Sequence, residues 1–499
     1  MTTLIKEFKE TLRKINLYKQ AVTLFSWDMQ TDAPKNGTES KIDAIGFFST
    51  EIFKLSTSQR YGYLLRELSM SDKYEALDPA LKITVKRYLK EYNRASRVPE
   101  KFFTEFTMEK ARSEQAWEEA KENNDFSIFA PHLDKVINMT KEWIKYMEPN
   151  KEVYDVLIDM YEEGMNSASI DSLFDELKEG LIPLIHKLNK APSPDVSALK
   201  GDYPVYDQKK VQDLLLNYIG FNFDCGNTSQ SMHPFTTTLC PGDIRITNNF
   251  NESSVLDPMF SAIHEGGHAI FEQNVADELQ GTAAAEIDLM GLHESQSRFF
   301  ENILARNINF WIPIYDDIKA ILPQFENVSL ETLEKAVNLV KAGPVRLQAD
   351  EVTYCMHIIL RYEMEKAIFR DNVPTDELPS LWNKKTKELL GVEVKNDGEG
   401  ILQDMHWSDG SFGYFPSYLL GSIYDGMFLE AAEKQLGNID TILKEGRIKD
   451  ITKWLNDNIH KNGSLYNSKE VIEKLCKKEI SAKPLLKYFT EKYTRLNKL

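Results

Sequence analysis

From residue 3 to about residue 190, apolar residues recur at three- and four-residue spacings between charged ones, as in residues 111–123 and 170–187. This rhythm draws one apolar stripe along a helix and is incompatible with the alternation of a half-buried strand. A succession of amphipathic helices is therefore expected. The rhythm breaks at Asp32-Ala33-Pro34, at the acidic entry Asp125 and at Glu148-Pro149-Asn150, where turn-forming residues stop one helix and admit the next. Ala191-Pro192-Ser193-Pro194-Asp195, continuing to Gly201-Asp202-Tyr203-Pro204, is the strongest linker candidate. Residues 233–247, HPFTTTLCPGDIRIT, are rich in Thr and β-branched residues around a Pro241-Gly242 turn and predict a short hairpin. Helical spacing returns over 255–274, 286–307, 330–341, 345–370 and 417–435, with two further helices to close the chain. The expectation is a mainly α chain forming one catalytic domain over residues 1–499. It has a helical half to about residue 195, a second half from about residue 205, a small sheet directly before one helix, and a long cleft between the halves.

The 499 residues carry a formal net charge of −17, with Lys and Arg dispersed among Asp and Glu. No basic patch stands out, which argues against nucleic acid and against anionic membrane surfaces as partners. Cys225, Cys240, Cys355 and Cys476 are far apart and form no CxxC pair, so neither a disulfide framework nor a thiolate zinc site is expected. The first twenty residues are amphipathic and charged, unlike a signal peptide, and no apolar stretch reaches spanning length. A cytoplasmic protein is expected.

Chemistry concentrates in SAIHEGGHAIFEQN. His264 and His268 stand four residues apart where Ile263, Ile270 and Phe271 keep helical spacing, so one helix face presents both imidazoles. Zinc takes such nitrogen ligands at about 2.0–2.1 Å, and this spacing supplies two of them without bending the backbone. Glu265 follows the first histidine, placed to accept a proton from water activated by the ion. Gly266 and Gly267 would each weaken an exposed helix by about 1 kcal/mol, which implies close packing or access at this helix. A third protein ligand must come from elsewhere. The pattern with a third histidine fails, because Phe271 and Asn274 occupy the required positions. A carboxylate is then expected, and the downstream segment EIDLMGLHESQSRFFENILARN offers Glu286, Asp288, Glu294 and Glu301. Glu294 has Arg298 one turn later to orient it, which puts it only modestly ahead of Glu286.

HEGGH followed by HESQSRFFEN resembles the carboxypeptidase Taq family of metallocarboxypeptidases, as do HPF at 233–235, DIRIT at 243–247, VRLQAD at 345–350 and GILQDMHW at 400–407. Similarity extends from WDMQTDAP near the start to WLNDNIHKNG near the end. The resemblance makes Glu294, in the HES segment, the third ligand. It implies a zinc carboxypeptidase of broad specificity that holds one ion per subunit, accepts cobalt, forms a homodimer and acts on peptides with a free C-terminus. Two places depart from the family's usual pattern: Asn248 and Asn249 follow DIRIT where Thr and Arg are usual, and GTAAAEIDLMG precedes HES. Both leave the ligands and Glu265 intact but put substrate preference and rate in question.

A carboxypeptidase must hold a terminal carboxylate, which a guanidinium does with paired hydrogen bonds. Arg346 is the leading candidate, because Gly343-Pro344 should start a helix whose first turn also favours an anion; its structural alternative is an ion pair with Asp350. Arg245 in the hairpin is a second candidate. The hairpin edge suits an extended peptide, and His233 either contacts substrate or stabilises the turn before Pro234. His406 and Tyr418 resemble the histidine and tyrosine that contact the scissile carbonyl in related HExxH oligopeptidases, with Tyr414 as the alternative to Tyr418. The rival functions are an endo-oligopeptidase or dipeptidyl carboxypeptidase with the same zinc chemistry, and a non-enzymatic helical protein with structural zinc.

Overall fold

The computed structural model describes every residue of the chain except Ser193 and Leu499, so the Ser193 part of the candidate linker lies outside the described residues. Helices follow one another from Thr2 to Leu188, broken where turn chemistry demands it. The Asp125 carboxylate accepts from the Ser127 N–H at the start of the helix Phe126–Met147, which is the entry its position predicts. The helices named below are α1 (Thr2–Gln30), α2 (Pro79–Ala95), α3 (Val205–Ile219), α4 (Leu256–Gln273), α5 (Met290–Arg298), α6 (Thr353–Phe369) and α7 (Phe415–Leu436).

The expected hairpin is present as β2 (Thr236–Cys240) and β3 (Asp243–Asn248), antiparallel with Thr236 opposite Ile246. Gly242 turns the chain with φ of 81°, a left-handed conformation that glycine adopts without steric cost. A third strand, β1 (Gly226–Gln230), pairs parallel to β3 and gives the order β1-β3-β2. Its sequence GNTSQ has no apolar alternation to announce it; main-chain bonds to β3 hold it there. Ile244 and Ile246 are buried on one face of β3, against which α4 packs.

One buried cluster runs from Phe102 to Tyr493 and includes Ile263, Ile270 and Phe271 of α4, while a separate cluster unites Phe8 and Leu12 with Leu64, Leu65 and Val85. Two expected helices begin later than their spacing suggests. The 286–307 helix starts at Met290, and after Arg298 it widens into a π-helical stretch, Phe299–Leu304. Likewise the 345–370 helix starts at Thr353; Arg346–Gln348 forms only a 3-10 turn. Asp350 stops that helix from extending back, because its carboxylate accepts from the N–H groups of Val352 and Thr353.

The paired glycines of α4 are explained by what lies against them. A Cβ on Gly267 would come within 2.7 Å of the Gln296 carbonyl oxygen and the Ser297 Cα, both backbone atoms of α5. On Gly266 it would meet only the flexible ends of Leu216 and Ile219 in α3, also at 2.7 Å. Side-chain ends can rotate away and a helix backbone cannot. Gly267→Ala should therefore lose about 1–3 kcal/mol in urea unfolding. Gly266→Ala should lose clearly less, since alanine also regains about 1 kcal/mol of helix propensity. Equal losses would contradict this assignment of close packing to Gly267.

Candidate active site

Helix α4 presents His264, Glu265 and His268 toward α5. The Glu294 Oε2 lies 3.9 Å from Nε2 of His264 and 3.6 Å from Nε2 of His268, and one ligand atom from each of the three residues falls within 4.8 Å of the others. Among the described residues this is the one group of three or more His, Cys, Asp and Glu side chains with that spacing. Glu286 and Asp288, the rivals of Glu294, lie before α5 and are engaged elsewhere: Glu286 accepts from Lys19 and from the Tyr88 hydroxyl, and Asp288 pairs with Arg87.

Each member of the group is oriented by a second residue. Arg298 donates from Nε to Glu294 Oε1 at 2.7 Å, the one-turn partnership anticipated from the sequence. Glu301 holds His264 through Nδ1 at 2.8 Å, and Arg306 lies 3.6 Å from the other Glu301 oxygen. Sequence reasoning named Glu301 only as a rival ligand; the π-helical stretch that carries it was not foreseeable from spacing. His268 is fixed differently. Its Nδ1 is buried without a hydrogen-bond partner, and its ring stacks on His293 at 4.1 Å, with His293 held by Glu272 at 2.9 Å.

Burial would depress the pKa of His264, but the Glu301 hydrogen bond and the nearby carboxylates outweigh it and raise that pKa to about 9. For His268 burial prevails, with the charge of His293 acting the same way, and the pKa falls to about 3. Burial opposes ionisation of Glu294, yet the histidines and Arg298 hold its carboxyl well below the usual carboxylate range. Glu265 is 8% exposed, and burial moves its pKa upward. Thr236, at the start of β2, donates to Glu265 Oε2 at 2.6 Å and pins one side of that carboxylate. No sequence pattern marked Thr236; only the register of the sheet against α4 brings it there.

Arg346 is 9% exposed, and the helix start expected around it is not there. Its backbone N–H donates to the Gln403 side chain, so no free first-turn amides accompany it. Nor does it pair with Asp350. Its Nε and Nη2 sit on Asp404 Oδ1 at 3.0 and 2.8 Å, and Asp404 is shared with fully buried Arg361. Two guanidiniums thus face one carboxylate. The hydroxyl of Tyr418 lies 3.4 Å from Nε2 of His406, and the Tyr414 and Tyr418 rings are 5.1 Å apart. Burial lowers the His406 pKa to about 4 and raises that of Tyr418 well above the usual phenol value, leaving both neutral.

Two candidates are not brought into this group. Arg245 is bidentate on Asp243 at 2.9 Å and lies over the Trp27 ring of α1. The His233 side chain is exposed, and its carbonyl oxygen accepts from the Ser231 hydroxyl.

Two cavities come up to residues that support the site, though neither is lined by His264, Glu265, His268 or Glu294. One, of about 1050 Å³, is bounded by β2, by residues 9–23 of α1, and by Glu272. The other, of about 960 Å³, extends to Tyr161, whose ring packs edge-on against Tyr414 at 5.0 Å.

The sequence pattern of carboxypeptidase Taq (M32) metallopeptidases matches residues 7–493. Carboxypeptidase 1 of Bacillus subtilis is 40% identical over 493 residues, covering 98% of each chain. Thermostable carboxypeptidase 1 of Thermus thermophilus is 34% identical over 483 residues, covering 95% of each. Among solved structures, the M32 carboxypeptidase from Deinococcus radiodurans superposes with a TM-score of 0.94 at 28% identity over 100% of both chains. The Pyrococcus furiosus carboxypeptidase gives 0.93 at 31% identity, over 98% of this chain and 99% of that one. With relatedness running end to end and the histidines and glutamate of both helices drawn together, the chain belongs to the carboxypeptidase Taq (M32) family and is a metallocarboxypeptidase.

Proposed function

We propose that this enzyme is a zinc carboxypeptidase of broad specificity, removing C-terminal residues from peptides, with His264, His268 and Glu294 holding one ion per subunit. The observation that carries the reading is the donor spacing. Bonds of about 2.0–2.2 Å in tetrahedral geometry set ligand atoms roughly 3.3–3.5 Å apart, close to the 3.6 and 3.9 Å between Glu294 and the two imidazoles. Two nitrogens and one carboxylate suit zinc and tolerate cobalt. A zinc ion bound there supplies Lewis acidity toward water and the scissile carbonyl.

The chain's own groups do the rest. Glu265 takes the proton of the attacking water and returns it to the departing amine; its upward-shifted pKa suits both halves of that task. Thr236 keeps the carboxylate aimed while leaving Oε1 free for the water. His406 and Tyr418, both neutral, donate to the developing oxyanion without competing for the anion at the substrate's end, and Tyr414 supports Tyr418 through ring contact. Arg346 anchors the terminal carboxylate, since Asp404 balances only one of the two guanidiniums beside it. The outer edge of β2 is unpaired in the sheet and borders the larger cavity, so the peptide main chain can extend along it. In this reading His233 and Arg245 serve the hairpin and its contact with α1.

The family likeness supports a homodimer, and four cysteines without a disulfide suit a reducing, cytoplasmic setting. Among the described residues no helix is long and apolar enough to cross a membrane.

Peptides with a free C-terminus should be trimmed one residue at a time, and their amidated forms should resist; product sizing by mass spectrometry checks this. Internal cleavage, or release of dipeptides, would favour the oligopeptidase alternatives. Glu265→Gln should retain its metal while kcat falls by about 10²–10⁴; unchanged hydrolysis would remove Glu265 from the mechanism. Glu301→Gln should weaken zinc affinity by about ten- to a hundredfold in chelator competition, because His264 loses the anionic acceptor at Nδ1.

A further inference from the structure

The metal group and the carboxylate anchor are carried by different elements, yet one side chain touches the support of both. Tyr354 stands in the first turn of α6 and is 9% exposed. The guanidinium of Arg298, whose Nε orients Glu294, lies over the Tyr354 ring with Cζ 3.9 Å from the ring centroid. At the ring's hydroxyl, Nη1 of Arg346 donates to the Tyr354 oxygen at 3.4 Å. That nitrogen is the one Asp404 leaves unengaged, because Asp404 takes Nε and Nη2.

These contacts differ in kind. A cation over an aromatic face in a buried site is held by the ring and needs no hydroxyl. The Arg346 contact needs the hydroxyl and is indifferent to the ring. The phenol oxygen that accepts from Nη1 keeps its own proton to donate, so it fixes the guanidinium without cancelling its charge. A second carboxylate in its place would neutralise Arg346 and leave no net charge for a terminal carboxylate.

We propose that Tyr354 is the positioning residue that joins the metal site to the substrate-anchoring site, its ring holding Arg298 against Glu294 and its hydroxyl holding Arg346 toward the peptide terminus. The inference rests on the reading above, in which Glu294 is a ligand and Arg346 an anchor. Because the ring is rigid, the distance between the metal ligand's support and the anchor is set by one residue, which favours release of a single terminal residue over longer fragments.

The test separates the two contacts. In Tyr354→Phe the ring stays and the hydroxyl goes. KM for a free-C-terminus peptide should rise about two- to tenfold, as for loss of one long hydrogen bond, with kcat within about twofold and Zn²⁺ affinity of the apoprotein unchanged. In Tyr354→Leu both contacts go, and Zn²⁺ affinity in chelator competition should fall by about tenfold in addition. Phenylalanine would thus rescue metal affinity and leave the KM defect, a split that general destabilisation does not produce. An unchanged KM in Tyr354→Phe, while Arg346→Gln raises KM, would overturn the proposal and leave the anchor reading intact. Unchanged KM in Arg346→Gln itself would instead defeat the anchor reading. Wild-type zinc affinity in folded Tyr354→Leu would overturn the role given to the ring.

Discussion

The contact between α4 and α5 at Gly267 governs the site. Glu294 reaches the two imidazoles only because the α5 backbone at Gln296 and Ser297 approaches α4 to a distance at which a single methyl group would clash. A third helix closes on the same point from the other side. A Cβ on Gly421 of α7 would come within 2.9 Å of the Gly291 oxygen and 3.2 Å of Glu294 Cβ. The α5 backbone that carries Glu294 is therefore clamped between helices that touch through backbone, and its position is no softer than theirs. Packing of this kind tolerates little change in volume, and it is what a ligand set with sub-ångström tolerances requires.

Charge is arranged around that clamp differently at its two ends. At the imidazoles, Glu265, Glu294 and Glu301 face Arg298 and Arg306, and the proton that His264 holds, its pKa raised to about 9, makes up the difference where a bound metal ion would. At the anchor, Arg346 and Arg361 face Asp404 alone. Buried charge without a partner is expensive, and this arrangement supports the proposal that a cation completes one end and an anionic peptide terminus the other. Between them burial holds His406, Tyr414 and Tyr418 neutral, so no further charge lies between the two ends.

What could be read from the sequence follows from how local each interaction is. His264 and His268 declare themselves because four residues is one helical turn, and Arg298 declares its service to Glu294 for the same reason. The hairpin is legible because Pro241-Gly242 sits between β-branched runs. By contrast, Glu301 meets His264 across 37 positions and Asp404 meets Arg346 across 58, and no periodicity in the chain encodes such meetings. Choosing Glu294 over Glu286 required family resemblance, because the helix expected from residue 286 starts at Met290, and spacing alone does not reveal that Glu286 is already committed to Lys19 and Tyr88. The misplaced start of α6 has a related cause: apolar spacing continues through residues 345–352, but the Asp350 side chain competes for the first helical N–H groups and wins.

The two departures from the family pattern lie at contacts between elements and replace none of His264, Glu265, His268 and Glu294. Asn248 is buried at the end of β3 and donates to the Gln212 side chain and the Pro258 carbonyl, tying the sheet to α3 and α4. Asn249 donates to the Met232 carbonyl. The altered segment 281–291 is held to α2 through Thr84, Arg87 and Tyr88, and to α1 through Lys19. Both substituted regions thus lie at seams between elements, where buried hydrogen bonds of Asn248 and Thr84 adjoin more exposed pairs such as Lys19 with Glu286. The spacing of His264, His268 and Glu294 depends instead on backbone contact at Gly267 and Gly421; Asn248 and Asn249 lie away from it, and the altered segment meets it only at Gly291, its last residue. The contacts at those seams join sheet to helix and loop to helix through side chains, whereas α4, α5 and α7 meet backbone to backbone and leave no room for added volume.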